Sequence, residues 1–219
     1  IILFFRHIRS SFCYRLFNKK DIKLLDVGCG SGQFIYLMKK KGWSVYGTEA
    51  SLVSASAAKK KVGEKSVLVN QNLEEIKSIS SNFDIITLWH VLEHIETLEA
   101  TIEQLHDLLS TNGVLIIAVP NFKSYDAQYY KQFWAAFDVP RHLWHFSKFG
   151  LCTLLSTKFS LVKTRPMWFD AFYVSLLSEK YKSGHSFSLK AIAIAFWSNV
   201  RAVFTKQPSS RIYCFKKAK

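Results

Sequence analysis

Cysteine is scarce in this chain and never closely paired. Its four cysteines, Cys13, Cys29, Cys152 and Cys214, are widely scattered, with no C-x-x-C among them. That argues against a zinc site or a disulfide framework and fits a reducing compartment. Long apolar runs are missing as well. The opening Ile1-Ile2-Leu3-Phe4-Phe5 falls far short of the ~20 residues that a membrane span requires. Its charges follow the apolar stretch instead of preceding it, which is not the layout of a signal peptide. A cytoplasmic location is expected on both counts. The first residue is not methionine, so the chain reads as a fragment or a processed product. Internal repeats, low-complexity tracts and a convincing linker are also absent. The 219 residues give room for one sizeable α/β domain with insertions, and not for two full ones.

Acidic side chains are few, 16 against 30 lysines and arginines, for a formal net charge of +14. A basic surface attracts nucleic acid, anionic lipid or an acidic substrate. The lysines, however, fall in dispersed pairs and triples such as Lys39-Lys40-Lys41 and Lys59-Lys60-Lys61. Those triples sit near the ends of expected helices, where cations complement the helix dipole. No clustered basic stripe with interleaved aromatics is present, and no appended RNA-binding module, so nucleic acid is not the expected partner.

What the chain does have is apolar material, 49% of all residues, with 15% aromatic. Apolar runs alternate with helical patterns through the first two-thirds. Strands are expected at Lys23 to Val27, Trp43 to Thr48, Ser66 to Val69, Phe83 to Leu88 and Val114 to Val119. Helices are expected from Phe34 to Lys41, Ser51 to Lys61 and about Leu98 to Leu109. Such alternation implies a parallel sheet with helices on both faces. From Asn121 to Phe146 the pattern becomes aromatic-rich and loses any clear period. A helix at Lys148 to Thr157, a strand at Phe159 to Thr164 and a last strand at Arg211 to Phe215 follow. Between them lies an amphipathic helix, Ser188 to Phe204, with Leu189, Ile192, Phe196, Val200 and Val203 on one face. That helix is a candidate for dimerisation or for contact with a membrane surface, so monomer and homodimer both stay open.

The first strand ends in Asp26-Val27-Gly28-Cys29-Gly30-Ser31-Gly32. A strand closing on Gly-x-Gly-x-Gly and entering a helix lets backbone N–H groups approach a ligand, because residues without a Cβ permit both the approach and positive φ angles. Dinucleotide-binding folds use a related loop, but here the third glycine comes one residue early. Cys29 is expected to pack, since the loop needs a small side chain. Glu49, at the end of the second strand, can accept hydrogen bonds from both ribose hydroxyls of an adenosine.

Leu24-Leu25-Asp26-Val27-Gly28-Cys29-Gly30-Ser31-Gly32 resembles the first motif of class I S-adenosylmethionine (SAM)-dependent methyltransferases. Gly47-Thr48-Glu49-Ala50-Ser51 resembles the second. Phe83-Asp84-Ile85-Ile86 leading to His90-Val91-Leu92-Glu93-His94-Ile95 resembles the fourth-strand motif, and Leu109 to Leu115 the turn before strand five. The resemblance implies a Rossmann-like α/β fold: a seven-stranded, mostly parallel sheet with helices on both faces, an antiparallel last strand and aromatic-rich helical lid insertions. The expected layout is one methyltransferase domain over 1–219. It comprises an N-terminal helical segment (1–22), a SAM-binding core (23–121), lid or substrate insertions (122–147 and 167–208) and the final strand (209–219). The implied cofactor is SAM, with S-adenosylhomocysteine as product. The implied cofactor-binding set is Asp26, Gly28, Cys29, Gly30, Gly32, Phe34, Glu49, Ala50, Asn72, Leu73, Trp89 and His90. Asn72 stands where the family normally places an aspartate beside the adenine amine, and its amide oxygen can still accept from that amine.

Methyl transfer needs an acceptor aligned behind the sulfonium methyl, and often a base or metal to deprotonate it. The ligand crevice of an open α/β sheet lies off the carboxyl ends of its strands. Two histidine groups are expected there. One is His90, Glu93 and His94, on one face if that turn is helical. The other is His142 and His145, in Asp138-Val139-Pro140-Arg141-His142-Leu143-Trp144-His145. His142, His145 and His90 are the candidate catalytic residues. The pattern is similar to the Glu-x-x-Glu-His arrangement of ubiquinone-pathway O-methyltransferases and small-RNA 2′-O-methyltransferases, but His90 replaces the first glutamate. No divalent metal is therefore expected; Glu93, His94 and His142 would be its ligands if one bound. Tyr125, Tyr129, Tyr130, Phe133, Trp134, Phe137, Trp168, Phe169, Phe172 and Tyr173 are candidates for a lid, although aromatics at such spacing pack a core more often than they form a binding platform. A lid of this kind favours an apolar or aromatic acceptor. The expected activity is methyl transfer to a small molecule, at oxygen, of the ubiquinone and menaquinone pathway type. RNA methylation and a non-catalytic SAM-binding scaffold are the alternatives.

Overall fold

The computed structural model describes residues 12–13, 21–69, 73–185 and 187–218. Most of the expected N-terminal helical segment, and Asn72, lie outside them. Seven strands join in one sheet in the order β3-β2-β1-β4-β5-β7-β6: β1 (Lys23–Val27), β2 (Ser44–Thr48), β3 (Val67–Leu68), β4 (Phe83–Trp89), β5 (Leu109–Pro120), β6 (Phe159–Pro166) and β7 (Ser210–Lys217). The pairs β1–β2, β1–β4 and β2–β3 are parallel, and β6–β7 is antiparallel. With its flanking helices this is the Rossmann-like architecture that the motifs imply.

The chain divides into two compact units. The first comprises residues up to Trp89 together with Glu99–Ile116. It carries α1 (Gln33–Lys40), α2 (Leu52–Val62), α3 (Leu73–Ile79) and α4 (Leu98–Leu108). Its parallel strands are buried on both faces, so they read as continuous apolar runs: Leu24, Leu25, Ile85 and Ile86 have no exposed surface. The lysine triples fall in the last turns of α1 and α2 as expected. Strand five starts at Leu109, ahead of the expected turn. Ser110-Thr111-Asn112-Gly113 has turn composition, yet it runs extended. Gly113 is required there, because a Cβ would lie 2.7 Å from Leu109 Cγ and 2.9 Å from the Phe83 carbonyl.

The second unit comprises His90–Leu98 and Ile117–Ala218. It carries α5 (Tyr125–Tyr130), α6 (Lys148–Leu155), α7 (Asp170–Ser183) and α8 (Leu189–Thr205). Helices α5 and α7 are invisible to hydrophobic periodicity because they bury polar groups, Asp126 on one and Asp170, Ser175, Ser178 and Glu179 on the other. The carboxylate of Asp126 has no exposed surface and ties three segments together. It accepts from the Ser198 hydroxyl at 2.6 Å, the Ser209 hydroxyl at 2.7 Å and the Trp134 indole N–H at 2.8 Å. Trp134 and Tyr130 are themselves core residues of this unit, packed with Ala127, Ala135, Ala136 and Val174.

Replacing Asp126 with alanine leaves three buried donors without their acceptor, each costing about 1–3 kcal/mol. Urea denaturation is therefore expected to show a loss of roughly 3 kcal/mol or more. A loss below about 1 kcal/mol would contradict the role given to this carboxylate.

Candidate active site

In the first unit the turn after β1 is built as its glycines suggest. Gly28, Gly30 and Gly32 take φ values of 70°, 55° and 74°, a region that L side chains rarely enter. Gly32 is also fixed by packing, since a Cβ would come within 2.7 Å of Ala58 on α2. At Gly30 an added Cβ would meet nothing within 4 Å. At that point the turn is open to an approaching molecule. Lys61 holds the loop in place, donating from Nζ to the Ser31 carbonyl at 2.6 Å. The lysine triple thus contains a tether as well as a dipole partner.

Glu49 closes the cradle. Its carboxylate accepts from the Gly30 amide at 2.7 Å and the Ser51 amide at 3.0 Å, while its own N–H donates to Leu68 at 3.1 Å. The close approach of β2 requires Gly47, where a Cβ would lie 2.8 Å from Cys29 Sγ. Burial raises the Cys29 thiol far above its ordinary range, and the charges of Asp26 and Glu49 reinforce the shift. Cys29 stays protonated and packs, as expected. Asp26 is buried and accepts from the Thr87 hydroxyl at 2.6 Å. Phe34 and Trp89 are buried and meet edge to face at 5.8 Å. Leu73 is buried at the start of α3 and Ala50 is exposed.

In the second unit, the 3₁₀ turn Leu92–His94 brings the histidine groups together. Glu93, His94 and His142 offer ligand atoms that all lie within 4.8 Å of one another, and the rings of His94 and His142 meet edge to face at 4.6 Å. His94 donates from Nδ1 to the Arg141 carbonyl at 2.9 Å, and His142 from Nδ1 to the Ala136 carbonyl at 2.8 Å. In each ring Nδ1 is therefore the donor; Nε2 of His142 lies 3.8 Å from Asp138 Oδ2. Burial lowers the His142 pKa, against smaller opposing effects of the Ala136 hydrogen bond and the Glu93 charge. His142 is neutral at pH 7. His145 is exposed, with Nε2 donating to the Phe137 carbonyl at 3.0 Å. His142 and His145 also line a narrow crevice with Phe122, Trp134, Trp144 and Phe146, with no internal room for even a water molecule.

His90 is different. It takes φ 56° at the end of β4, with Nδ1 3.4 Å from Glu93 Oε1 and Nε2 3.2 Å from Asp170 Oδ2. Burial, the largest single influence, favours the neutral ring. The negative charges of Asp170 and Glu93, in close contact with the ring, together outweigh it and push the pKa up to about 9. His90 is thus an imidazolium at neutral pH. Sequence reasoning missed Asp170, although an acid between the aromatics Phe169 and Phe172 is the type of residue that is buried only when paired. Trp168, Phe169 and Tyr173 are exposed, whereas Tyr130 and Trp134 belong to the core.

The profile of the family described as a methyltransferase domain matches residues 5–158. The chain belongs to the class I SAM-dependent methyltransferases. This methyltransferase is similar to the ubiquinone biosynthesis O-methyltransferase of Pelagibacter ubique, 33% identical over 110 residues that make up 48% of this chain and 46% of that protein. It is also similar to an uncharacterized protein of Haemophilus influenzae, 35% identical over 109 residues, 46% of this chain and 43% of that one. In both, the match spans less than half the relative's length. Magnesium protoporphyrin IX methyltransferase from Synechocystis, solved with bound S-adenosylhomocysteine, shares the fold at a TM-score of 0.63 and 17% identity, covering 97% of this chain and 82% of that one. A SAM-dependent methyltransferase from Archaeoglobus fulgidus does so at 0.61 and 16%, covering 97% and 94%.

Two measurements follow. Replacing Glu49 with alanine is expected to weaken SAM binding about 10–100-fold in calorimetry, the effect of losing hydrogen bonds to a charged group; unchanged affinity would contradict the cradle. A pKa raised on folding stabilises the protein fully below the unfolded value and loses that contribution as pH rises through the folded value. The His90 contribution should therefore fade between the ordinary histidine pKa and about 9. The wild type should lose stability over that window and the His90→Gln variant should not; parallel profiles would contradict the ion pairing.

Proposed function

We propose that this methyltransferase transfers the SAM methyl group to a hydroxyl of a small apolar or aromatic molecule. The first unit holds the donor: Gly28, Gly30 and Gly32 supply the bare backbone, and Glu49 accepts from the ribose. His142 activates the acceptor. The hydroxyl oxygen attacks the methyl carbon and the carbon–sulfur bond breaks. Its electron pair stays on sulfur, leaving S-adenosylhomocysteine, and the hydroxyl proton passes to a base. The observation that carries this assignment is the state of His142: neutral, with Nδ1 donating to Ala136 and Nε2 left as acceptor. His145 is the secondary candidate, through Nδ1. His90, an imidazolium, enters as a positioning residue that holds Glu93 and Asp170 instead of accepting a proton. The ubiquinone-pathway relatives support an apolar acceptor and transfer to oxygen.

One observation favours a second reading of the same residues. Glu93 is 1% exposed, and neither of its oxygens accepts a hydrogen bond; its pairing with His90 at 3.4 Å is an ion pair only. A buried carboxylate in that state, beside two histidines whose Nδ1 atoms are tied to carbonyls, fits a divalent cation held by Glu93, His94 and His142. Such a cation would lower the pKa of a hydroxyl bound to it. The sequence favours no metal, so the two readings divide on experiment.

Labelled SAM incubated with a fractionated bacterial extract should yield a labelled apolar product. The His142→Ala variant is expected to lower kcat by roughly 10²–10⁴ with SAM affinity unchanged. An unaltered kcat would remove His142 from the chemistry. Calorimetric titration with manganese or zinc separates the readings: binding abolished by Glu93→Gln supports the cation, and no heat with full activity after chelation excludes it.

A further inference from the structure

Helix α8 is packed with its apolar stripe outward. At 100° per residue, Leu189, Phe196, Trp197, Val203 and Phe204 fall within one broad face, and they are 75%, 61%, 50%, 50% and 79% exposed. The opposite face carries the small residues Ala191, Ala195, Ser198 and Ala202, all buried, with Ile194 beside them packed against the core of this unit. The helix is firmly built: Ser188 caps it by accepting from the Ala191 amide, and Ser198 is tied to Asp126. The small residues let α8 seat closely on its own unit, and that leaves these five bulky side chains outside the packing. A contiguous exposed face of this kind marks an interaction surface.

Charge identifies what covers it. Helix α8 has no acidic residue among its 17 residues. From residue 117 to 218 the sequence holds four carboxylates, Asp126, Asp138, Asp170 and Glu179, against fifteen lysines and arginines. Asp126, Asp170 and Glu179 are less than a tenth exposed. Lys190 and Arg201 lie on the same edge of α8, over the rings of Tyr129 at 5.8 Å and Tyr125 at 5.0 Å, and Lys182 of α7 lies 5.5 Å from Tyr129. Lys190 is partly neutralised by Glu179 at 3.5 Å; Lys182 and Arg201 extend the basic rim. A second copy of the chain would set two such rims against each other, which like charge opposes. Among the described residues no helix is long and apolar enough to cross a membrane.

We propose that α8 lies in the plane of an anionic lipid surface, with Leu189, Phe196, Trp197, Val203 and Phe204 among the acyl chains and Lys182, Lys190 and Arg201 on the phosphates. A helix with Trp, Phe and Leu on one face and cations at its edge is the form that interfacial binding takes. The inference is independent of the proposed methyl acceptor.

Sedimentation of the full chain with vesicles tests it. Phosphatidylcholine vesicles containing phosphatidylglycerol should bind the protein, less so as salt rises, and pure phosphatidylcholine should bind it weakly. The Phe196→Ser/Phe204→Ser variant should lose about tenfold or more of that affinity with an unchanged melting temperature, since both side chains are exposed. The Lys182→Glu/Arg201→Glu variant should lose the preference for anionic vesicles. Failure to bind anionic vesicles, or equal binding by wild type and both variants, would overturn the proposal. So would a dimer in sedimentation velocity that Phe196→Ser/Phe204→Ser dissolves, because a second copy would then cover the face.

Discussion

The backbone amides of Gly30 and Ser51 converge on the Glu49 carboxylate, at 2.7 and 3.0 Å, and this meeting of a bare turn with an acid one strand away is what the rest of the first unit serves. The turn can form only where three residues hold positive φ. The acid can arrive only because β2 lies close to the turn, with Gly47 against Cys29. The buried parallel strands fix both to within a hydrogen bond's length. The arrangement offers donors and an acceptor in a form that an adenosyl ligand can take over, with the ribose hydroxyls replacing the amides on Glu49.

The second unit solves a different problem. Among the described residues its buried carboxylates are Asp126, Asp170, Glu93 and Glu179, each with a distinct set of partners. Asp126 is fully hydrogen-bonded and acts as a node of the fold. Asp170 and Glu93 flank His90 and keep it charged. Glu93 retains oxygens with no hydrogen bond beside two histidines of fixed tautomer. Buried polar groups normally have partners; Glu179 and Tyr130 share this departure, and what sets Glu93 apart is the pair of histidine ligand atoms within 4.8 Å of it. The histidines also divide by role: a pKa pushed up at His90 and down at His142 distinguishes a permanent cation from a potential base.

The first unit was largely legible in the sequence, because parallel strands buried on both faces leave continuous apolar runs and because glycine at positive φ leaves few alternatives. The stretches Asn121 to Phe146 and Met167 to Ser183 were not, although the helix and strand between them were. There α5 and α7 bury aspartate, serine and glutamate, so hydrophobic periodicity carried no signal. Within the site, the expectation that His90, Glu93 and His94 share a face required a helical turn; the 3₁₀ turn covers only Leu92–His94 and leaves His90 outside it at φ 56°. The convergence of His142 on Glu93 depends on a backbone contact, the Leu143 amide donating to the Glu93 carbonyl at 2.8 Å, which no local pattern announces. Helix α8 was legible as amphipathic, but the direction of its apolar face was not: the small residues that seat it are visible only once Asp126 is seen to hold Ser198.

The most direct measurement of the central claim is a crystal structure with S-adenosylhomocysteine. The account predicts the ligand in the Gly28–Gly32 turn, with its ribose hydroxyls donating to Glu49 in place of the Gly30 amide. A turn that stays empty at saturating ligand, with the Glu49 carboxylate still on Gly30, would contradict it.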